Sequence, residues 1–241
     1  MKSSAIRRSL GFTVFETVIA IGVLAVLLTG FMVVFTPAAE GIRKSINVQQ
    51  ADRMASTLEQ ELVTLRSEPF TTGFNKAFTW IENKNKDKDA LLVYQYRGSM
   101  TTLRDDKTPT PVPSVTGLLP GKDYVIVPMV RLRSDGSGKS GKTKLEADLE
   151  AVEGGVYLVK CTQLVFNSSQ LVAGTAGKIV DPISPTMSTT PDDYPEAVIA
   201  FAAEFHLLPA KTSDYIAGTG FTAKFNTVKN PIFVRNLAVR R

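Results

Sequence analysis

The most conspicuous chemistry in the sequence is "GSGKSGKT", Gly136 to Thr143, a full match to the phosphate-binding pattern G-x-x-x-x-G-K-[ST]. In that pattern backbone amides cradle phosphates, the lysine (here Lys142) reaches the terminal phosphate and the hydroxyl (here Thr143) binds a metal ion. The motif follows a strand-like run and precedes a helix expected over Thr143 to Val152. Its surroundings argue otherwise. The run before it contains Pro128, Arg131 and Arg133, unlike a buried parallel strand. The second metal ligand would have to come from "GKIVD", ending at Asp181. We therefore expect Gly136, Gly141, Lys142 and Thr143 to belong to a basic surface loop, with no bound cofactor.

Other candidates are poorer. "NKNKDKD", Asn83 to Asp89, alternates oxygen ligands as a calcium loop does, but has no glycine at its sixth place and Tyr94 where the closing glutamate belongs. Asp192 and Asp193 form a second weak cation candidate. His206 is the only histidine and Cys161 the only cysteine, so the common nucleophilic and zinc constellations cannot be assembled. We expect no enzyme, no metal site, structural roles for His206 and Cys161, and no internal disulfide.

One titratable residue stands apart. Fifteen of the 24 residues from Phe12 to Phe35 are Leu, Ile, Val or Phe, and the only charge among them is Glu16. Such a run is long enough to cross a bilayer, which takes roughly 20 residues. Its large apolar residues favour insertion by roughly 5 to 9 kcal/mol in sum. A central carboxylate opposes this by about 2.5 to 3.5 kcal/mol, and by less near an end. Lys2, Arg7 and Arg8 precede the run and should keep the N-terminus cytoplasmic. A secretory signal cut after Ala38 or Ala39 would have a shorter apolar stretch and would not place Pro37 at the cleavage site. An uncut single-pass anchor fits the run but explains neither Gly11, at the join of leader and apolar run, nor Glu16.

A short basic leader ending in Gly11, then Phe12, Thr13, Glu16 and a long apolar helix, resembles the class III signal of type IV prepilins and pseudopilins. The resemblance covers residues 2 to 36, continues more weakly to residue 70, and stops there. It implies cleavage by a prepilin peptidase between Gly11 and Phe12 and methylation of the new Phe12 amine. It also implies Glu16 as fifth residue of the mature chain. A cationic amine in or beside an apolar layer needs a partner. Glu16 could supply one to its own amine or to a neighbouring subunit's, and in the second case would set the axial register of a helix bundle. The implied partners are the peptidase, identical or related pilin subunits, the bacterial inner membrane and a filament assembly platform. The implied route is N-in membrane insertion, then entry into an extracytoplasmic filament, either pilus or secretion pseudopilus. Val14 and Phe15 depart conservatively from the family's commoner Leu and Ile, and Pro37 falls slightly late. Gly22, Ala25 and Thr29 lie at helical spacing and could admit a neighbouring helix.

Beyond the apolar run, Ile42, Ile46, Met54, Leu58, Leu62 and Leu65 recur at three- and four-residue steps, with charged residues on the other faces. The pattern predicts an amphipathic helix ending before Pro69. Joined to the apolar run it would make one helix from Phe12 to Glu68, about 85 Å long. Five later runs read as strands: Ala90–Tyr96, Asp123–Leu132, Gly155–Phe166, Ala197–Leu208 and Ile232–Val239. Pro128 suggests that the second is an edge. "TPTPVPSVTG" and "DPISPTMSTTPDDYP" read as surface loops.

The expected fold is α+β, with a long N-terminal helix whose amphipathic half packs on an antiparallel sheet. Its parts are a leader over 1–11, a membrane or filament-core segment over 12–36, its amphipathic continuation over 37–68 and a β-rich domain over 70–241. The formal net charge is +5, but the leader holds three of the cations. Without it 25 basic residues face 23 acidic ones, a net +2, which gives no case for nucleic-acid binding.

Overall fold

The computed structural model describes residues 13–63, 72–114, 116–134, 143–184 and 189–241. The chain divides into two compact units, one ending at Ile46 and the other comprising Asn47–Arg241. A single helix, α1 (Val14–Val63), contributes to both. It is 50 residues long, about 75 Å, and passes through Pro37 without a break in its assignment. The expected extension to Glu68 lies outside the described residues.

In the second unit, buried residues of α1 are Ala51, Met54, Ala55, Leu58 and Leu62, at the spacing of one helical face. Ile42 and Ile46, placed on the same stripe by the sequence reading, are exposed. A second helix, α2 (Gly73–Glu82), is capped by Thr72, whose hydroxyl accepts from the Asn75 amide at 3.2 Å. Its Lys76 is buried and its ammonium donates to both the backbone oxygen and the carboxylate of Glu61, at 2.9 Å each. That fastens α2 to α1. Gly73 is required at this join, because a Cβ there would stand 2.0 Å from the Leu62 carbonyl oxygen.

The strands are β1 (Leu91–Leu103), β2 (Pro109–Pro111), β3 (Tyr124–Leu132), β4 (Val152–Asn167), β5 (Gln170–Ala173), β6 (Val198–Leu207) and β7 (Phe233–Arg240). All pair antiparallel in one seven-stranded sheet, with the path β2-β1-β4-β6-β7, β3 on β1 and β5 on β4. All five strands read from the sequence are present. β3 pairs with β1 alone, and its Pro128, opposite Gln95, has no amide hydrogen to offer a further strand.

The sheet is buried on both faces. Against one face, Val93, Tyr157, Val159, Phe201 and Phe205 meet Met54, Leu58, Phe74 and Phe78 of α1 and α2. Against the other, Leu92, Tyr94, Tyr96 and Leu158 meet three short helices: α3 (Lys144–Glu150), α4 (Ser213–Ala217) and α5 (Thr219–Thr227). Of this second layer, α3 falls within the helix expected over Thr143 to Val152, whereas α4 and α5 were not anticipated. The layer explains why "ALLVY" reads as unbroken apolar residues, since alternate side chains enter two different cores.

Candidate functional site

The start of α1 is where the candidate assembly residues lie. Gly11 and Phe12 are outside the described residues. Thr13 precedes the first helical turn and Glu16 is the third residue within it. The Glu16 amide donates to the Thr13 hydroxyl at 3.2 Å. One carboxylate oxygen of Glu16, Oε2, accepts from the Thr13 amide at 3.1 Å and from the Thr13 hydroxyl at 3.0 Å. This is a capping box, in which residues three apart satisfy each other's free donors. It matters here because the first amides of a helix have no intrahelical acceptor and, in lipid, no water either.

From Val14 to Phe35 every large apolar side chain is exposed, by 50 % at Ile19 and 82 % at Val14. These 22 residues rise about 33 Å, against a hydrocarbon thickness of about 30 Å. The best 18-residue window has a mean hydropathy of 2.8, so the helix is long and apolar enough to cross a membrane. The hydroxyls within it are turned inward: Thr17 donates to Thr13 O at 3.1 Å, Thr29 to Ala25 O at 2.8 Å and Thr36 to Met32 O at 2.9 Å. Ala25, Val26, Thr29, Gly30 and Val33 line a shallow groove on this helix. Cβ atoms at Gly22 or Gly30 would touch nothing within 4 Å, so no contact within the chain calls for glycine there.

Gly136, Gly141 and Lys142 also lie outside the described residues. Thr143 is the N-cap of α3, where its hydroxyl and the Glu146 carboxylate form a second capping box at 3.1 and 2.7 Å. The strand preceding this segment is antiparallel β3, not the parallel strand that a phosphate-binding loop follows. In Asn83–Asp89, the first three residues form a 3-10 turn, and Asp87 accepts from the Thr222 hydroxyl at 2.8 Å and from Arg133 at 3.3 Å. Asp193 accepts from the Thr190 hydroxyl at 2.7 Å. Cys161 is buried in the α1-facing core, where desolvation pushes its thiol up. His206 is buried, and its Nδ1 donates to the Asn230 carbonyl at 3.3 Å.

The sequence reading missed a buried ionic cluster under α3. Asp148, with no exposed surface, accepts from Tyr94 at 2.7 Å, from Arg131 at 2.8 Å and from Arg104 at 2.7 Å. Arg131 also reaches Asp106 at 3.1 Å, and Asp106 accepts from Thr108. Burial and the neighbouring Asp148 charge push the Tyr94 phenol well above its usual range. Burial also opposes ionisation of Asp106, but hydrogen bonds from Thr108 and Arg131 outweigh it and hold this carboxyl low. The cluster ties β1, β3, α3 and the 104–108 loop together as a structural clamp. No short motif could have revealed it, because its members are scattered from Tyr94 to Asp148.

No family model matches this chain, and no curated protein or solved structure matches it significantly. What is established is a mixed α+β fold in which a long N-terminal helix, apolar in its first half, is followed by an antiparallel sheet. That arrangement is consistent with a pilin-like architecture.

Proposed function

We propose that this chain is a structural subunit of a type IV pilus-like filament or secretion pseudopilus. It enters the inner membrane N-in, is cut after Gly11, is methylated at Phe12, and joins other subunits through its apolar helix. The observation that carries this reading is the helix from Val14 to Phe35. It is apolar and exposed on every side, yet begins with a carboxylate that Thr13 holds in place. Its continuation carries a folded domain, as a filament subunit requires. Gly22 and Gly30 weaken an isolated helix by about 1 kcal/mol each relative to alanine. Close approach of another helix compensates for that. In this reading the amine released at Phe12 pairs with Glu16 of the same or a neighbouring subunit. No catalytic role is assigned.

An uncleaved anchor for an extracytoplasmic domain is the second reading, and one observation favours it. The capping box gives Glu16 a purpose within a single chain. It gives Gly11 none. Mass analysis of the N-terminus of protein from the native host separates the two. The filament reading expects a start at Phe12 with one added methyl, and an uncut precursor when Gly11 is replaced by a bulky residue. A start at Met1 refutes it in favour of the anchor.

A further inference from the structure

We propose that the outer edge of β7 is a strand-pairing surface for a second copy of this chain, the two β7 strands running antiparallel about Asn236. β7 ends the sheet path, and among the described residues no strand pairs with its far side. The Arg241 amide donates to the Ala197 carbonyl at 2.9 Å, continuing the β6–β7 register, and such bonds recur at every second residue. Phe233, Arg235, Leu237 and Val239 therefore turn their backbone groups toward β6. Val234, Asn236, Ala238 and Arg240 turn theirs outward, a row of donors and acceptors that another strand matches. The other edges of the sheet are blunted. Pro128 removes the central outward amide of β3, β2 is three residues with proline at both ends, and β5 is four residues long. β7 has eight residues and neither proline nor glycine. Its charges suit an antiparallel second copy. Arg235 is held by Asp52 at 3.2 Å and Glu59 at 2.9 Å, and Arg241 by the Pro191 and Tyr194 carbonyls. Arg240, exposed, is the cation left to accommodate. Parallel copies in register would stack two Arg240 side chains about 4.8 Å apart, whereas antiparallel pairing about Asn236 sets them about 27 Å apart. That register also faces the two exposed Asn236 amides toward each other, where they exchange hydrogen bonds, and sets Val234 against Ala238 of the second copy. On the α1 side, a cleft of about 520 Å³ lined by Glu59, Leu62, Gly73 and Val239 leaves room along the edge. The pairing concerns the folded unit and does not rest on the filament reading.

The experiment expresses full-length chains carrying Val234→Cys, Asn236→Cys, Ala238→Cys or Arg240→Cys in the native host. Isolated membranes are oxidised in air with copper phenanthroline, and disulfide-linked dimer is measured on non-reducing gels. Cys161 is buried, so wild type is the blank. Facing residues of an antiparallel pair stand about 5.5 Å apart at Cα, inside disulfide range. Asn236→Cys should therefore cross-link. Val234→Cys and Ala238→Cys, each about 14 Å from its own copy, and the more distant Arg240→Cys should give at most about a tenth as much. Coexpressed Val234→Cys and Ala238→Cys chains should regain the link. Ala238→Pro, added to Asn236→Cys, removes an amide that β6 does not use, so the fold should be retained, read as wild-type protease resistance. It deletes two bonds between the copies, and dimer should fall about 10- to 100-fold. Equal yields at all four positions, no dimer from Asn236→Cys, a link from Asn236→Cys to a different protein, or full dimer yield from protease-resistant Ala238→Pro each overturns the proposal. Where Ala238→Pro loses protease resistance, the four-position profile decides alone.

Discussion

The two tasks open to Glu16, capping its own helix and pairing with an amine, are separated by one substitution. A capping box accepts glutamine at its third helical position as well as glutamate, because an amide oxygen also accepts from the N-cap amide. Glu16→Gln therefore keeps the 3.1 Å acceptor geometry toward Thr13. It removes only the charge. An amine paired with a carboxylate gains a charge-assisted hydrogen bond of about 1.5 to 3 kcal/mol, against about 1 for a neutral one. The difference, about 0.5 to 2 kcal/mol, predicts a fall of about 2- to 30-fold in assembled subunit. Glu16→Ala loses the cap as well, another 0.5 to 2 kcal/mol or so at the helix start. It also inserts more easily, by up to about 3 kcal/mol for a deep site. The expected order in the filament fraction is wild type, then glutamine, then alanine, with all three cut after Gly11 and retained in membranes. The assay is quantitative immunodetection in sheared and membrane fractions from the native host. Wild-type incorporation of Glu16→Gln would refute the charge argument and leave capping as the residue's whole task.

Three further outcomes concern the folded unit. Asp148→Asn strands Arg131 and Arg104 without their shared anion, so it should destabilise Asn47–Arg241 by about 3 to 5 kcal/mol, read from denaturant midpoints at constant slope. The Asp106 carboxyl is held below its unfolded value, so its stabilisation is fully present above about pH 4 and is lost as pH falls further; Asp106→Asn should flatten the acid limb of a stability–pH curve. The two-residue β4–β5 turn places Ser168 and Ser169 at φ of 49° and 69°, so Ser169→Gly should raise the thermal midpoint, with a gain of up to about 1 kcal/mol.

The strands were legible because β-branched and aromatic runs fill them, and because turn-formers separate them. β2 and β5 were not, since "PTP" and "QLVA" are short and carry little strand signal. α2 escaped because "GFNKAFTWIE" is rich in aromatic and β-branched residues; its helix depends on the Thr72 cap and on burial of Phe74, Phe78 and Ile81. α4 and α5, five and nine residues long, likewise depend on packing against β1 and β4. Ile42 and Ile46 show the limit of periodicity: spacing marks one face of a helix but not where a core begins to cover it. At the candidate site, Glu16 stood out because a charge in an apolar run is costly. Its bond to Thr13 follows a readable pattern too, T-x-x-E before an apolar run.

The inward-turned hydroxyls of Thr17, Thr29 and Thr36 have a consequence of their own. Past its first turn, the apolar half of α1 shows its surroundings side chains with almost no unmet polar demand. Acyl chains and the flanks of other helices are then nearly equivalent solvents for it. A move from one to the other leaves its hydrogen-bond inventory unchanged, so shape alone sets the preference. Such a segment can be stored in one medium and withdrawn into another without a polar toll at the boundary. Glu16, in the turn before this segment, is where the two media differ.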